Sequence, residues 1–316
     1  MSAAAAPRPD WRARPEGGGR FALWLIRTFA QRFGRRLARL VLLPITLYFL
    51  LRRGPERRAS LAFLSRVAGR PASWWDTARH IHAFASTILD RVFLLGGQFK
   101  GFDVAVDGLD ALHAQMDLGR GVLLLGSHLG SFEVLRVLSL KRPDVTVRVV
   151  LDVRHNPAIT SLLAELNPAV AATVIDAGQD GMAIVMQIKE ALDAGALVTL
   201  LADRAAPGEP SVSVPFMGEP APFPRAPWQI ALSLGVPVAL CFGLYLGGNR
   251  YRLVFERLTD GLVLARKDRE SGIRDMVGRY AARLEAQARA RPRNWFNFYD
   301  FWQAPRPDPA GRPGEP

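Results

Sequence analysis

The chain has 316 residues, 49% of them hydrophobic, and a formal net charge of +12. That is enough apolar material for one large α/β domain, and a single cysteine, Cys241, excludes an internal disulfide and a cysteine-based zinc cluster. The charge is local: residues 1–60 carry thirteen arginines against three acidic residues, while the rest carries 28 basic and 26 acidic groups.

Residues 1–19 are rich in Ala, Pro, Arg and Gly and are expected to be disordered, as is the tail at 304–316. Residues 20–53 form an apolar, arginine-studded segment. Residues 21–26 are uncharged, arginines follow at 27, 32, 35, 36 and 39, residues 40–51 are uncharged again, and Arg52, Arg53, Arg57 and Arg58 close it. An uncharged run of 12 residues falls short of the roughly 20 needed to span a bilayer. The pattern predicts a helix lying in, or half inserted into, an anionic membrane surface, with arginines reaching headgroups and Trp24, Tyr48 and Phe49 as interfacial anchors. A buried helix with a solvated Arg face, or a nucleic-acid patch, would share this composition. The arginines interrupt any signal-peptide core, so no cleavage is expected.

The remainder, 54–303, reads as one domain without internal repeats. Helical patterns cover 55–68 and 73–95, followed by a short strand at 104–106 and a helix at 109–116. The run Val122 to Leu125, closed by Gly126, has the apolar character of a strand covered on both faces. Further strands are predicted at 145–151, 173–175 and 197–201, with helices at 157–166 and 182–194 between them. That alternation predicts a mainly parallel sheet flanked by helices. Residues 237–246 and 251–256, joined by Gly247-Gly-Asn-Arg250, read as a hairpin, and a last amphipathic helix carries Ile273, Met276, Val277, Tyr280 and Leu284 on one face.

The chemistry-bearing stretch follows the strand at 122–125. His128 sits on a tight turn, and Glu133 in the first turn of the next helix, so both arrive at one mouth of the sheet. A histidine general base with Glu133 as its orienting partner is one reading; a turn-bonding histidine and a carboxylate favoured by the helix dipole is the other. Ser127 and Ser131 flank the histidine, but Gly126-Ser-His-Leu-Gly130 is not the Gly-x-Ser-x-Gly elbow of serine hydrolases. No phosphate-binding loop or dinucleotide fingerprint is present, and His80 and His82, two residues apart on a helix, point in different directions and make a poor metal site.

Gly126-Ser-His-Leu-Gly-Ser-Phe-Glu133 resembles the His-x4-Asp/Glu motif of the lysophospholipid acyltransferase superfamily, and specifically its lipid A late acyltransferase branch. Arg154-His-Asn-Pro157, Leu201-Ala-Asp-Arg204, Val212-Ser-Val-Pro-Phe-Met-Gly218, 231–237 (read as part of the closing strands) and Tyr251-Arg-Leu-Val-Phe-Glu256 are similar to that branch's blocks in order and spacing. The resemblance covers 20–303. It implies the glycerol-3-phosphate/lysophospholipid acyltransferase-like fold and a membrane-associated enzyme at the cytoplasmic face of a bacterial inner membrane. That enzyme would move a fatty acyl group from an acyl carrier protein or coenzyme A thioester to a hydroxyl of a lipid or glycolipid. In that scheme His128 is the base and Glu133 fixes its tautomer, with no metal and no cofactor. Ser127, Arg154, Asp203, Arg204, Phe216, Gly218 and Arg225 become substrate-binding candidates, and the Phe216 to Gly218 turn or a nearby Arg a source of oxyanion donors. Anchoring the strand end is the alternative for Asp203, and a solvated loop arginine that for Arg204 and for Arg225 in the proline-rich loop 220–227. A lipid hydrolase using the same dyad on water, and a non-catalytic lipid-binding protein, are the alternatives. Two departures bear on the acceptor. Ser131-Phe132 stands where the branch commonly has Asn-Trp, and residues 295–302 lack the branch's basic ending, which removes contacts for a phosphorylated disaccharide and points to another lipid.

Overall fold

The computed structural model describes residues 19–117, 119–137, 145–154, 157–205 and 208–302; the ends expected to be disordered and the side chain of Trp24 lie outside the described residues. The chain begins with α1 (Gly19–Arg52), α2 (Gly54–Ala68) and α3 (Trp74–Leu95). Helix α3 starts at a capping box, in which Ser73 and Asp76 satisfy each other's backbone N–H groups. Gly34, with φ 75°, divides α1 into two helices.

Next come β1 (Asp103–Asp107), α4 (Leu109–Met116), β2 (Val122–Gly126) and a 3₁₀ turn at Phe132–Val137. Then follow β3 (Val147–Leu151), α5 (Pro157–Leu166), α6 (Pro168–Ala171), β4 (Ile175–Asp176), α7 (Gly181–Asp193) and β5 (Leu197–Leu201). A ribbon of β6 (Ser211–Phe216) and β7 (Glu219–Pro224) leads to α8 (Ala226–Leu234), the long hairpin β8 (Val238–Gly247) and β9 (Arg250–Thr259), and finally α9 (Arg269–Ala290).

The seven-stranded sheet has the order β1-β9-β8-β2-β5-β3-β4 and is parallel except between β8 and β9. Strand β2 is central and buried along its whole length, as its apolar run requires. Its side chains alternate between two cores. Leu123 and Leu125 join the α9 side with Tyr280 and Leu284, whereas Val122 and Leu124 join the side of Leu94 and Leu112. A mainly parallel sheet covered by helices on both faces is therefore the architecture.

Two expectations are corrected here. Residues 231–234 are not strand but the last turn of α8, which ends at Gly235 in the left-handed conformation. The proline-rich stretch 220–227 is not an open loop, because Glu219–Pro224 pairs with Ser211–Phe216 as a separate ribbon. Prolines 215, 220, 222 and 224 are tolerated because a two-stranded ribbon leaves outward backbone positions that need no N–H. The ribbon's inward residues Val212, Val214, Phe216, Ala221 and Phe223 are all buried.

No helix among the described residues is long and apolar enough to cross a membrane. Helix α1 instead docks on the domain: Ala30, Ala38 and Leu42 pack against Ala85, Leu89, Val92 and Phe93 of α3. Nor do all of its arginines point outward to headgroups. The Arg35 guanidinium holds the fully buried Asp90 with both arms, at 2.6 and 2.7 Å, and Tyr251 donates to the same carboxylate at 2.7 Å. Arg39 reaches the Gly248 carbonyl and the Tyr245 hydroxyl of the β8–β9 hairpin. Breaking a buried pair from one side costs more than its net contribution, because the surviving charge is stranded. Asp90→Ala is accordingly expected to lower stability by about 3 kcal/mol in chemical denaturation, with Arg35→Ala/Asp90→Ala costing less than the sum of the single changes.

Candidate active site

The parallel register places the site. Gly126 of β2 lies opposite Leu201 of β5, so His128 and Asp203, each two residues further on, emerge side by side at the carboxyl ends of neighbouring strands. Ligands of open α/β sheets gather at this edge. The His128 Nδ1 is 2.8 Å from Asp203 Oδ1, and the His128 backbone N–H donates to Oδ2 at 3.1 Å. A third donor, the Trp295 indole Nε1–H, meets Oδ2 at 3.2 Å. Asp203 is completely buried, while 31% of the His128 side chain remains exposed.

The turn between them depends on two glycines. Gly130, at φ 76°, donates its N–H to the Asn294 carbonyl, and Ser131 donates to Gly243 of β8, both at 2.7 Å. A Cβ on Gly130 would stand 1.9 Å from the Gly243 oxygen, and one on Gly243 would stand 2.0 Å from the Ser131 oxygen. Backbone lies directly on backbone here, which only glycine permits.

Glu133 has other partners than the one expected. It pairs with Arg91 of α3 at 2.6 Å and accepts the Ser131 hydroxyl at 2.9 Å, while the Nδ1 of His128 is held by Asp203. The carboxylate bonded to the imidazole is thus Asp203, and Glu133 braces the turn against α3. The reason is positional: Glu133 follows in a 3₁₀ segment after the turn, whereas Asp203 sits at the adjacent strand end.

Burial is the main cause that depresses the His128 pKa, reinforced by the Arg204 and Arg91 guanidiniums and opposed by Asp203. Burial alone would raise the Asp203 pKa, but His128 and Arg204 outweigh it and hold it at about 2. Near neutral pH the pair is therefore a neutral imidazole on a carboxylate. Because a carboxylate can only accept, Nδ1 carries the proton and Nε2 presents its lone pair.

The other predicted residues divide. Ser127 is buried directly before His128, beside Tyr280, whose hydroxyl donates to Gly126 O at 2.8 Å. Arg204 lies next to the pair, donating to Asn297 Oδ1 at 2.7 Å and Phe296 O at 2.9 Å, with its guanidinium over the Tyr299 ring. Arg154 is exposed beyond the end of β3, near Gly178. Phe216 is core, its ring 5.2 Å from that of Trp295, and the neighbouring Met217 N–H is taken by Glu285, so this turn supplies no oxyanion donor from Met217. Gly218, at φ 87°, closes the β6–β7 turn, and Arg225 precedes α8 in an ion pair with Glu270. Spacing along the chain does not single out Arg91, Trp295 or Asn297; the aromatic density of 295–302 is the one signal it offers. Among the described residues no group of three or more His, Cys, Asp or Glu side chains is disposed to hold a metal ion.

The model of the bacterial lipid A biosynthesis acyltransferase family matches residues 83–304, which span the whole site and more than half of the chain. The chain belongs to that family. It is an acyltransferase by membership, and the family implies an acyl donor and a lipid acceptor in general terms. Comparison with curated proteins finds no match. The match includes His128, Asp203 and Trp295 and excludes α1 and α2. Gly130→Ala is expected to destabilise this family member by at least about 2 kcal/mol, since it combines an unfavourable φ with a backbone clash; a thermal melt with no loss would contradict the geometry.

Proposed function

We propose that the protein is a membrane-associated O-acyltransferase that takes a fatty acyl group from an acyl carrier protein or coenzyme A thioester and places it on a hydroxyl of a lipid or glycolipid. The observation that carries the reading is the partly exposed His128 whose Nδ1 is held by the buried Asp203. The Nε2 lone pair accepts the acceptor's hydroxyl proton as its oxygen attacks the thioester carbonyl. The C–S bond then breaks, and the imidazolium returns the proton to the leaving thiolate. Asp203 stabilises the imidazolium while it exists, and no acyl-enzyme forms. No resident cofactor or metal takes part in this scheme.

Arg204 and Arg91, both near enough to influence His128, suit an anionic portion of donor or acceptor. The acceptor is proposed to be a lipid other than a phosphorylated disaccharide, because residues 295–302 contain no basic side chain.

Location at the cytoplasmic face of a bacterial inner membrane is part of the proposal. It is supported by the outer side of α1 after Gly34, where Leu37, Leu40, Leu47 and Leu51 are exposed at helical spacing. Trp74 and Trp75 stand exposed at the start of α3, under Arg57 and Arg79. An apolar stripe with arginines beside it fits an anionic lipid surface.

Lipid mass spectrometry of cells lacking the protein, complemented with wild type or His128→Ala, tests the reaction. A missing acyl group restored only by wild type is expected, with His128→Ala reducing transfer by at least about a hundredfold; full rescue would overturn the assignment. Fatty acid released by the purified protein without any acceptor would favour hydrolysis instead.

The depressed His128 pKa gives a sign for the pH dependence. The neutral base is required, so transfer falls on acidification only as pH passes below the ordinary histidine value of 6.5. A rate profile whose acid limb is centred above 6.5 would contradict it.

A further inference from the structure

The carboxylate that orients His128 is itself held by a buried chain of hydrogen bonds that begins in the N-terminal helices. His80 of α3 is fully buried, with Nε2 3.0 Å from the Trp295 carbonyl and Nδ1 2.8 Å from the Ser60 hydroxyl of α2. A carbonyl only accepts, so Nε2 carries the hydrogen, and Nδ1 must accept from Ser60. Burial, with Arg293 nearby, keeps this imidazole neutral, its pKa lowered to about 4. One tautomer, with both nitrogens satisfied, therefore fixes where the Trp295 backbone sits.

Trp295 is the next link. Its ring is enclosed by Phe63, Phe216, Phe301 and Trp302, with centroids 4.7 to 6.1 Å away, and its Nε1–H meets Asp203 Oδ2 at 3.2 Å. That oxygen already takes the His128 backbone N–H, and the other takes the His128 ring. The carboxylate rotamer is thus set by donors from the β2 turn and from Trp295. Ser60, His80, Trp295 and Asp203 are all fully buried.

We propose that Trp295 and His80 are positioning residues that set the orientation and basicity of the His128–Asp203 pair. Through them the packing of α2 and α3 governs the site. The assignment rests on His128 as the base, as proposed above. The indole N–H shares the negative charge of Asp203, which limits how strongly that carboxylate holds an imidazolium. Removing it leaves more charge for His128, so the His128 pKa rises. The other charged groups facing His128, namely Arg204, Arg91 and the Glu133 paired with Arg91, are unchanged by the substitution.

The test is an NMR titration of the full-length chain labelled at histidine Cε1, with the His128 signal assigned by its loss in His128→Ala. Trp295→Phe keeps an aromatic ring and deletes the donor; it is expected to raise the His128 pKa by about half a unit. His80→Phe should shift it in the same direction, and His80→Gln, whose amide nitrogen can occupy the Nε2 position, should restore the wild-type value. A folded Trp295→Phe chain that titrates as wild type would overturn the proposal, and so would His80→Phe and His80→Gln titrating alike. The comparison of the two His80 variants decides the matter even where Trp295→Phe does not fold. Acyl transfer from palmitoyl-coenzyme A to extracted cell lipids should show the paired effect: a several-fold lower kcat at unchanged KM, with the acid limb moved upward. Because the titration needs no substrate, retained transfer in His128→Ala would remove the base assignment while leaving the hydrogen-bond chain measurable.

Discussion

The site depends on one buried anion. Asp203 is fully enclosed at the end of β5, and an uncompensated carboxylate there would be costly enough to change its protonation or the local fold. His128 and the nearby Arg204 keep it ionised, and three donors take its oxygens: the His128 backbone N–H, the His128 ring and the Trp295 indole. They come from segments that are far from Asp203 in sequence. Satisfying this single charge therefore fixes the turn after β2, the end of β5 and the segment after α9 relative to one another. The same bonds leave His128 Nε2 as an acceptor, so the geometry needed for stability coincides with the geometry that the proposed base catalysis needs.

A second buried carboxylate plays the corresponding part for the N-terminal region. Asp90 receives Arg35 from α1 and Tyr251 from β9, which joins the arginine-rich helix to the second strand of the sheet. Part of the positive charge of residues 1–60 is thus structural. Arg35 and Arg39 dock α1 onto the domain, and the apolar residues from Leu37 to Leu51 stay outward. Helix α1 thus has apolar residues on two sides, Ala30, Ala38 and Leu42 against α3 and a second set facing outward, with Arg32, Arg36 and Arg52 exposed beside the latter. The outward apolar set beside exposed arginines is what suits a lipid surface in the proposed function.

Aromatic packing connects these two regions. Phe63 of α2, His80 of α3, Phe216 of the proline-rich ribbon and residues 295–302 share one cluster around Trp295. The ribbon that carries Phe216 has no N–H on its prolines to extend the main sheet, and it covers the α9 side instead.

Much of the architecture is legible along the chain because it is local. The apolar run of β2, the helical periodicity of α9 and the Gly-Gly-Asn turn between β8 and β9 each carry their own signal over a few residues. So does His128, on its glycine-flanked turn after a buried strand. Glu133 misleads for the same reason, since a carboxylate five residues away is the partner that linear proximity suggests. The choice of Asp203 requires the parallel register of Gly126 with Leu201, which pairs strands separated in sequence by two others, β3 and β4, and leaves no trace in spacing. Trp295 and His80 are hidden likewise, because an aromatic or buried histidine reads as core until its hydrogen-bond partner is known. The sequence by itself determined which residues form the central strand and where the His128 turn falls, through hydrophobic pattern and glycine placement. Only the tertiary structure decided which carboxylate serves the histidine, because that depends on which strand ends the fold sets side by side and which donors surround the buried charge.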